Sequence, residues 1–173
     1  MLGNLRELPR TVWLLGLVSF FNDSTSELIY PLLPIYLASV LMAGPKALGI
    51  IEGIAEATGS LLKLLSGVLA DRRGSAKPWV VGGYALAAIA RPLLAFATSW
   101  PMLLLLRFAD RVGKGLRSSP RDALVALTVE PSRRGLAFGF HRALDNAGAG
   151  DGPLLAAWLL AERVPLANIF LWA

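Results

Sequence analysis

The chain has 173 residues, of which 55% are hydrophobic and 17% are charged, with a formal net charge of +5 and a mean hydropathy of +0.57. Soluble domains carry about 25% charged residues, so this composition argues against an ordinary soluble domain. The sequence contains no cysteine, which excludes disulfides and thiolate metal sites, and no phosphate-binding loop or metal-ligand cluster predicts a cofactor.

Long apolar stretches recur along the chain and predict five membrane spans with the start of a sixth. A helical span needs about 20 mostly apolar residues. The alternating pattern of a barrel strand is missing, so helices must satisfy the backbone in lipid. We therefore expect an all-α, polytopic transmembrane helix bundle that forms one domain over residues 1–173. The expected spans are residues 10–42, 47–70, 79–98, 101–129, 136–160 and 166 onward.

The connections between these spans divide into a basic side and a nearly neutral side. The basic side holds Arg6, Arg10, Arg72, Arg73, Lys77, Arg133 and Arg134. The other side holds only Lys46 and Arg163. Positive residues accumulate on the cytoplasmic side of membrane proteins, so we expect a cytoplasmic N-terminus. The basic residues are explained by topology, and nucleic acid is not an expected partner.

Two carboxylates interrupt the first span, in the stretch "SFFNDSTSELIYPLLP" of residues 19–34. Asp23 and Glu27 lie about 40° apart on a helix, so both face the same side. Pro31 and Pro34 follow and should bend the span. We expect the two acids to face a cavity, where they could hold protons or bind a cationic or polar substrate.

Ionisable residues form similar stripes on the later spans. Each charge facing lipid at mid-bilayer would cost about 2.5 to 3.5 kcal/mol, so the stripes should face one another or a wet cavity. The candidate proton or substrate pathway comprises Asp23, Glu27, Glu52, Glu56, Lys63, Arg91, Arg107, Asp110, Arg111, His141, Arg142 and Asp145. His141 is included because an imidazole titrates nearest to neutral pH. Two alternatives stay open: Lys63 could neutralise Glu56 as a structural pair, and Arg117, Arg121 and Asp122 could belong to a span end or loop.

Four motifs in chain order resemble a known family. The stretch "GVLADRRGSAK", residues 67–77, resembles the loop signature G-x-L-A-D-R-x-G-R-K of the major facilitator superfamily. Next come "RFADRVGKG" (107–115) and "RRGLAFG" (133–139), which are similar to the family's fourth-helix signature and its entry to the fifth helix. "GAGDGPLLAA" (148–157) resembles its antiporter signature, with Ala156 and Ala157 in place of glycines.

The resemblance implies the N-terminal half of a major-facilitator-type fold in a bacterial inner membrane. It also implies a transporter, not an enzyme, that exports small molecules in exchange for protons by alternating access. In the family, the residue matching Asp71 helps to close the cytoplasmic side, and the one matching Arg72 pairs with an acid, here expected to be Asp122. The family's buried arginine is tied to proton coupling; it matches Arg107, with Arg111 as the second candidate. The implied gating residues are Gly67, Asp71, Arg72, Gly74 and Asp122. The implied helix-bend and antiporter-like residues are Pro31, Pro34, Gly148, Gly152 and Pro153.

The length of the chain leaves alternatives open. Such transporters have two six-helix halves, so we expect a missing C-terminal half or a second copy as partner. A non-transporting remnant or an accessory subunit is the main alternative. "GAGD" (148–151) also occurs in intramembrane aspartyl proteases, but the Tyr-Asp pair of those enzymes is missing. Acids on the first two spans favour a cationic substrate, whereas Arg91, Arg107 and Arg111 would suit a carboxylate or phosphate, so the sequence leaves the substrate's charge open.

Overall fold

The structure, a computed structural model, describes residue 5 and residues 7–173 and is built from α-helices, with no strand in those residues. Arg6 lies outside the described residues, as does the side chain of Arg73. The helices are α1 (Arg10–Ile29), α2 (Leu32–Ser39), α3 (Pro45–Arg73), α4 (Lys77–Leu93), α5 (Trp100–Thr128), α6 (Arg134–Ala161) and α7 (Leu166–Trp172). Short 3-10 turns cover Leu94–Phe96 and Pro131–Arg133.

The first expected span is interrupted where its prolines begin. Helix α1 ends at Ile29 and α2 starts at Leu32, so Tyr30 and Pro31 form the break. Proline has no backbone N–H and its ring collides with the preceding turn, which explains why one straight helix does not continue. By contrast, α6 runs through Pro153 without interruption.

The loop motif between α3 and α4 owes its shape to Gly74. Gly74 caps the C-terminus of α3 with φ +64°, and its N–H donates to the carbonyl of Asp71. Glycine adopts this left-handed conformation without a Cβ penalty. The motif glycine therefore ends α3 and turns the chain toward α4.

Judged by length and composition alone, one of the described helices could cross a membrane: Lys77–Phe96, which is α4 with the turn that follows it. The other long helices carry ionisable residues among their apolar ones. The outer surfaces of the helices nevertheless expose large apolar side chains, such as Phe21, Leu61, Leu105 and Leu154. Such a broad apolar surface is unfavourable in water and suits contact with acyl chains.

Two groups of helices pack closely within themselves. Helix α1 packs along α6, while α3 and α4 both pack along α5. A Cβ added to Gly148 or Gly152 would overlap the backbone carbonyl oxygens of Phe20 or Ser24, so α1 and α6 touch at backbone level. Small residues allow this close approach of membrane helices.

The interior is layered from one end of the bundle to the other. A large apolar cluster at one end includes Leu32, Leu103, Leu159 and Phe170, and a small one at the other end holds Leu8, Val12, Val125, Val129 and Ala137. Helices α1, α5 and α6 each run from one cluster to the other. Their buried polar residues lie between the two, and this middle region positions the candidate site.

Candidate functional site

A layer of ionisable side chains, some fully buried and others partly exposed, lies between the two apolar clusters; we call it the ionic layer. It joins α1 and α6 to α3, α4 and α5. Its members are Asp23, Glu27, Glu52, Arg91, Arg107, Asp110, Lys114, Arg117, Arg121, Asp122, Arg142 and Asp145. Charges removed from water are tolerated when they are paired and hydrogen-bonded, and most of these are.

One part of the ionic layer is a four-residue chain on α3, α4 and α5. Arg107 donates from Nε and Nη2 to the two oxygens of Glu52, at 3.1 and 3.3 Å. Its Nη1 donates to Asp110 at 3.1 Å, and Arg91 Nε donates to the other oxygen of Asp110 at 2.8 Å. The formal charges of the four residues cancel. Because Arg91, Arg107 and Asp110 are almost fully buried, each needs its partners.

Arg91 also connects this chain of charges to α1. Its Nη1 donates to the backbone carbonyl of Asn22 at 2.8 Å and to the hydroxyl of Thr25. An arginine on α4 thus holds the main chain of α1 one residue before Asp23. Two of the three guanidinium nitrogens of Arg91 donate to protein groups, and Nη2 is buried without a partner.

A second part of the ionic layer joins α5 to α6. Arg121 donates to Ser19 at 2.6 Å and lies 3.3 Å from Asp145 and 3.4 Å from Asp122. Arg142 reaches the same two acids, at 2.8 Å for Asp122 and 3.3 Å for Asp145. Two arginines therefore share two carboxylates, and these charges also cancel.

Asp23 lies between these two parts. Its Oδ1 is 3.6 Å from Nη2 of Arg117, and the guanidinium of Arg117 stacks 4.7 Å from the ring centre of Tyr84. Its carboxyl group is also within hydrogen-bonding reach of that of Asp145. Arg117 Nε and Nη1 are buried without a partner. Asp23 thus has one loosely held cation and one neighbouring acid.

Glu27 is only partly buried, and Lys114 Nζ lies 4.0 Å from its Oε1. It belongs to the same face of α1 as Asp23, but the neighbouring acid of Asp23 is Asp145 on α6. The two acids of α1 therefore contact different cations of α5, Lys114 for Glu27 and Arg117 for Asp23.

Glu56, Lys63 and Arg111 line a polar cavity of about 190 Å³ between α3 and α5. Glu56 and Lys63 are exposed, and no ion pair within 4 Å joins them. The alternative that they neutralise each other is therefore wrong, because neither reaches the other across two turns of α3. Arg111 is 5% exposed, and its Nε has no hydrogen-bond partner.

His141 is 1% exposed and lies beside Arg121 and Asp145, yet neither ring nitrogen has a hydrogen-bond partner. The structure thus places it next to the ionic layer without a bond to it.

The expected pairing of Arg72 with Asp122 is wrong. Asp122 faces α6 and accepts hydrogen bonds from Arg142 and Arg121, whereas Arg72 is exposed in the last turn of α3. Asp71 is exposed as well. Gly67 lies against Ser119 on α5 and helps α3 to approach that helix.

The sequence leaves open whether Arg117 and Arg121 belong to a span end or a loop, and in the structure both are at least 95% buried inside α5. Their positions three and seven residues after Lys114 continue the helical stripe that starts at Arg107, and that spacing was the available signal. Ser19 and Tyr84 gave no such signal, because neutral residues are common inside spans.

Metal binding finds no support in the described part of the chain, where no group of three or more His, Asp or Glu side chains has the arrangement of a metal site. What the site offers is a set of paired charges at the contact between two helix groups. Such groups can exchange protons or partners when the helices move.

Comparison with known proteins identifies the family to which this chain belongs. The sequence profile of the Major Facilitator Superfamily matches residues 12–172. An uncharacterized MFS-type transporter of Methanocaldococcus jannaschii is 38% identical over 153 residues, which cover 88% of this chain and 38% of the relative. An uncharacterized protein of Mycobacterium tuberculosis is 36% identical over 88% of this chain and 37% of its own length. The multidrug resistance protein MdtH of Aeromonas hydrophila is 33% identical over 92% of this chain and 40% of its own length. The chain thus spans about two fifths of the relatives that it matches.

Proposed function

Because the chain belongs to the major facilitator superfamily, we propose that it is the N-terminal half of a proton-coupled exporter of small molecules that works by alternating access. Membership of this family makes it an integral membrane protein. In the proposal, α1 to α6 form a polytopic bundle in a cytoplasmic membrane with the N-terminus in the cytoplasm.

The observation that carries the proposal is the position of Asp23. Asp23 is 91% buried and has one cation within 4 Å, Arg117 at 3.6 Å. Its carboxyl group accepts a hydrogen bond from Asn22 Nδ2 at 3.1 Å and faces a second acid, Asp145. A buried carboxyl with so weak a counter-charge is suited to gain and lose a proton. When Asp23 is protonated, Arg117 loses its carboxylate partner, so proton binding changes the contact between α1 and α5.

Alternating access needs two bodies that move against each other, and the packing supports such a motion. The α1–α6 pair is joined to α3, α4 and α5 through ion pairs and hydrogen bonds rather than through apolar side chains alone. Ion pairs and hydrogen bonds at such a contact can change between discrete alternative partners when one helix group moves against the other. Protonation at Asp23 is proposed to select among them.

Two further observations support export by a longer protein. Glu56, Lys63 and Asp151 are exposed on α3 and α6, where lipid would be a costly neighbour, so a second half is proposed to cover them. A relative that matches 92% of the chain is named a multidrug resistance protein, which favours efflux as the direction.

Dye efflux from cells that produce the protein encoded by the complete gene tests the proposal. Cells are loaded with ethidium or with fluorescein, which differ in charge. At least one dye should leave faster than from cells without the protein, and a protonophore should abolish the difference. Asp23→Asn and Glu27→Gln should each abolish it too, while the variants still insert.

The matched control is Glu7→Gln, which removes an exposed carboxylate that pairs with Arg133 at the surface. This variant should export like the parent protein. If Asp23→Asn retains the parent's rate and its sensitivity to protonophore, the proposed role of Asp23 is wrong. If the inserted protein exports neither dye, the result favours the alternative that the chain is a non-transporting remnant or accessory subunit.

A further inference from the structure

We infer that the cavity between α3 and α5 binds the anionic group of a small organic molecule, a carboxylate, sulfonate or phosphate. This inference rests on the proposed function, because it names the substrate class of the exporter. The sequence alone left the charge of the substrate open, since acids and arginines both line the spans.

The structure separates the buried arginines that lie within 4 Å of a carboxylate from the one that does not. Arg91 and Arg107 are both paired with Asp110, and Arg107 is also paired with Glu52. Arg111, in the part of the chain that the structure describes, is the buried arginine with no carboxylate within 4 Å, and its Nε has no partner. A buried guanidinium without a counter-charge is unfavourable and calls for an anion.

The lining of the cavity carries a surplus of positive charge. Arg111, Lys114 and Lys63 face it together with one carboxylate, Glu56. The half-buried Lys114 has one ion-pair partner, Glu27, at 4.0 Å, which is the outer limit of an ion pair. Arginine binds carboxylates and phosphates through two parallel hydrogen bonds, and the lysines add point charges.

The size of the cavity indicates what part of a ligand it holds. A volume of about 190 Å³ is smaller than the roughly 300 to 1,000 Å³ of pockets that enclose a drug-sized molecule. It accommodates one charged group with its nearest atoms. The hydroxyl of Ser60 lines the same cavity and can donate to anionic oxygens, whereas the hydroxyl of Ser118 donates to the carbonyl of Lys114. The rest of the molecule would extend past the exposed face of α3.

Equilibrium binding of radiolabelled benzoate and benzylammonium to the full-length protein in nanodiscs tests the inference. The two probes share a ring and differ in the sign of their charge. At constant ionic strength, benzoate should bind saturably. Arg111→Gln should weaken benzoate about tenfold or more, because hydrogen bonds to a charged group are lost. Arg111→Lys keeps the charge but not the two parallel hydrogen bonds, so it should weaken benzoate less than Arg111→Gln does. Lys63→Gln should also weaken binding less than Arg111→Gln.

Two controls keep the test decisive. Arg133→Gln removes a positive charge from an exposed pair and should leave benzoate affinity unchanged. Lys114→Gln changes a half-exposed side chain, so it reports on the pocket even if Arg111→Gln fails to fold. The inference is overturned if benzoate does not bind, if benzylammonium competes for the same site, or if Arg133→Gln weakens benzoate as much as Lys114→Gln.

The outcomes also separate this inference from the proposed function. Proton-dependent ethidium efflux without benzoate binding would contradict the proposed anion pocket and support the proposed exporter. Benzoate binding that depends on Arg111, with no proton-dependent efflux of either dye, would support the proposed anion pocket and contradict the proposed exporter.

Discussion

Asp23 on α1 and Arg117 on α5 meet with 3.6 Å between Oδ1 and Nη2, in a place where both side chains are almost excluded from solvent. The ring of Tyr84 covers the guanidinium of Arg117. Two nitrogens of that guanidinium, Nε and Nη1, have no hydrogen-bond partner. The pair therefore joins two helix groups through a contact that is longer than the other buried ion pairs.

We expect Asp23 and Arg117 to be energetically coupled. In a double-mutant cycle with Asp23→Asn and Arg117→Gln, the coupling should be about 0.5 to 3 kcal/mol, the range for residues in contact. The cycle isolates this pair from the repulsion between Asp23 and Asp145. The free energy of unfolding in mixed detergent micelles is the measurement, and strictly additive effects would contradict the contact.

Asp110 should be far more important for stability than a surface acid. Asp110→Asn leaves Arg91 and Arg107 without their shared carboxylate, and breaking a buried pair costs about 3 to 5 kcal/mol. Glu7→Gln breaks a pair that is about half exposed, where the expected cost is about 0 to 1 kcal/mol. The same unfolding measurement compares them. Equal effects would mean that the buried chain of charges is not formed.

The close contact of α1 and α6 predicts different responses at two neighbouring glycines. Gly148→Ala places a methyl group against the Phe20 carbonyl and should destabilise by about 1 to 3 kcal/mol. Gly150→Ala adds the same group to the same helix, facing open space, and should be tolerated. Thermal unfolding of both variants checks this, and equal losses would contradict the α1–α6 packing.

Replacement of His141 by leucine should not destabilise the protein. The buried imidazole has no hydrogen-bond partner, so its removal breaks no hydrogen bond. An unsatisfied buried polar group costs about 1 to 3 kcal/mol, and His141→Leu should gain up to that amount. The midpoint of thermal unfolding is the readout. A clear fall would show that the ring bonds to a group in the ionic layer.

The absence of cysteine allows a direct test of the proposed topology. Single cysteines replace Ser75 and Ser132, in the loops after α3 and α5, and Ser99 and Arg163, in the loops after α4 and α6. An impermeant maleimide added outside intact cells should label only the second two. Labelling of Ser75→Cys from outside, or of all four positions, would contradict the proposed bundle or its orientation.

The spacing of the charged residues predicts many members of the ionic layer, but it does not predict which of them pair with each other. Periodicity placed Arg107 and Asp110 on one helical face, and Arg91 was expected inside its span. The sequence could not tell that Asp110 receives both arginines, because that depends on how α4 crosses α5. The sequence did not indicate a role for Tyr84 for the same reason, because that role comes from the position of its ring over Arg117.

The errors have physical causes as well. The sequence leaves open whether Arg117 lies near a span end, because the pattern of charges does not show where the helix stops; α5 continues to Thr128 and buries it. Asp122 was expected to pair with Arg72 by family resemblance, and the helix register instead turns it toward Arg142 on α6. Sequence periodicity gives the face of a helix, whereas its neighbour follows only from the packing.

The arrangement of two arginines around two acids on α5 and α6 has a consequence for motion. Arg121 and Arg142 each touch both Asp122 and Asp145, so every acid keeps one cation if the other withdraws. A small slide of α5 past α6 therefore exchanges partners without leaving a bare charge in a low-dielectric interior. These four ion pairs hold α5 and α6 close together. They oppose movement of the two helices along their axes only weakly, because each charge keeps a partner during the movement.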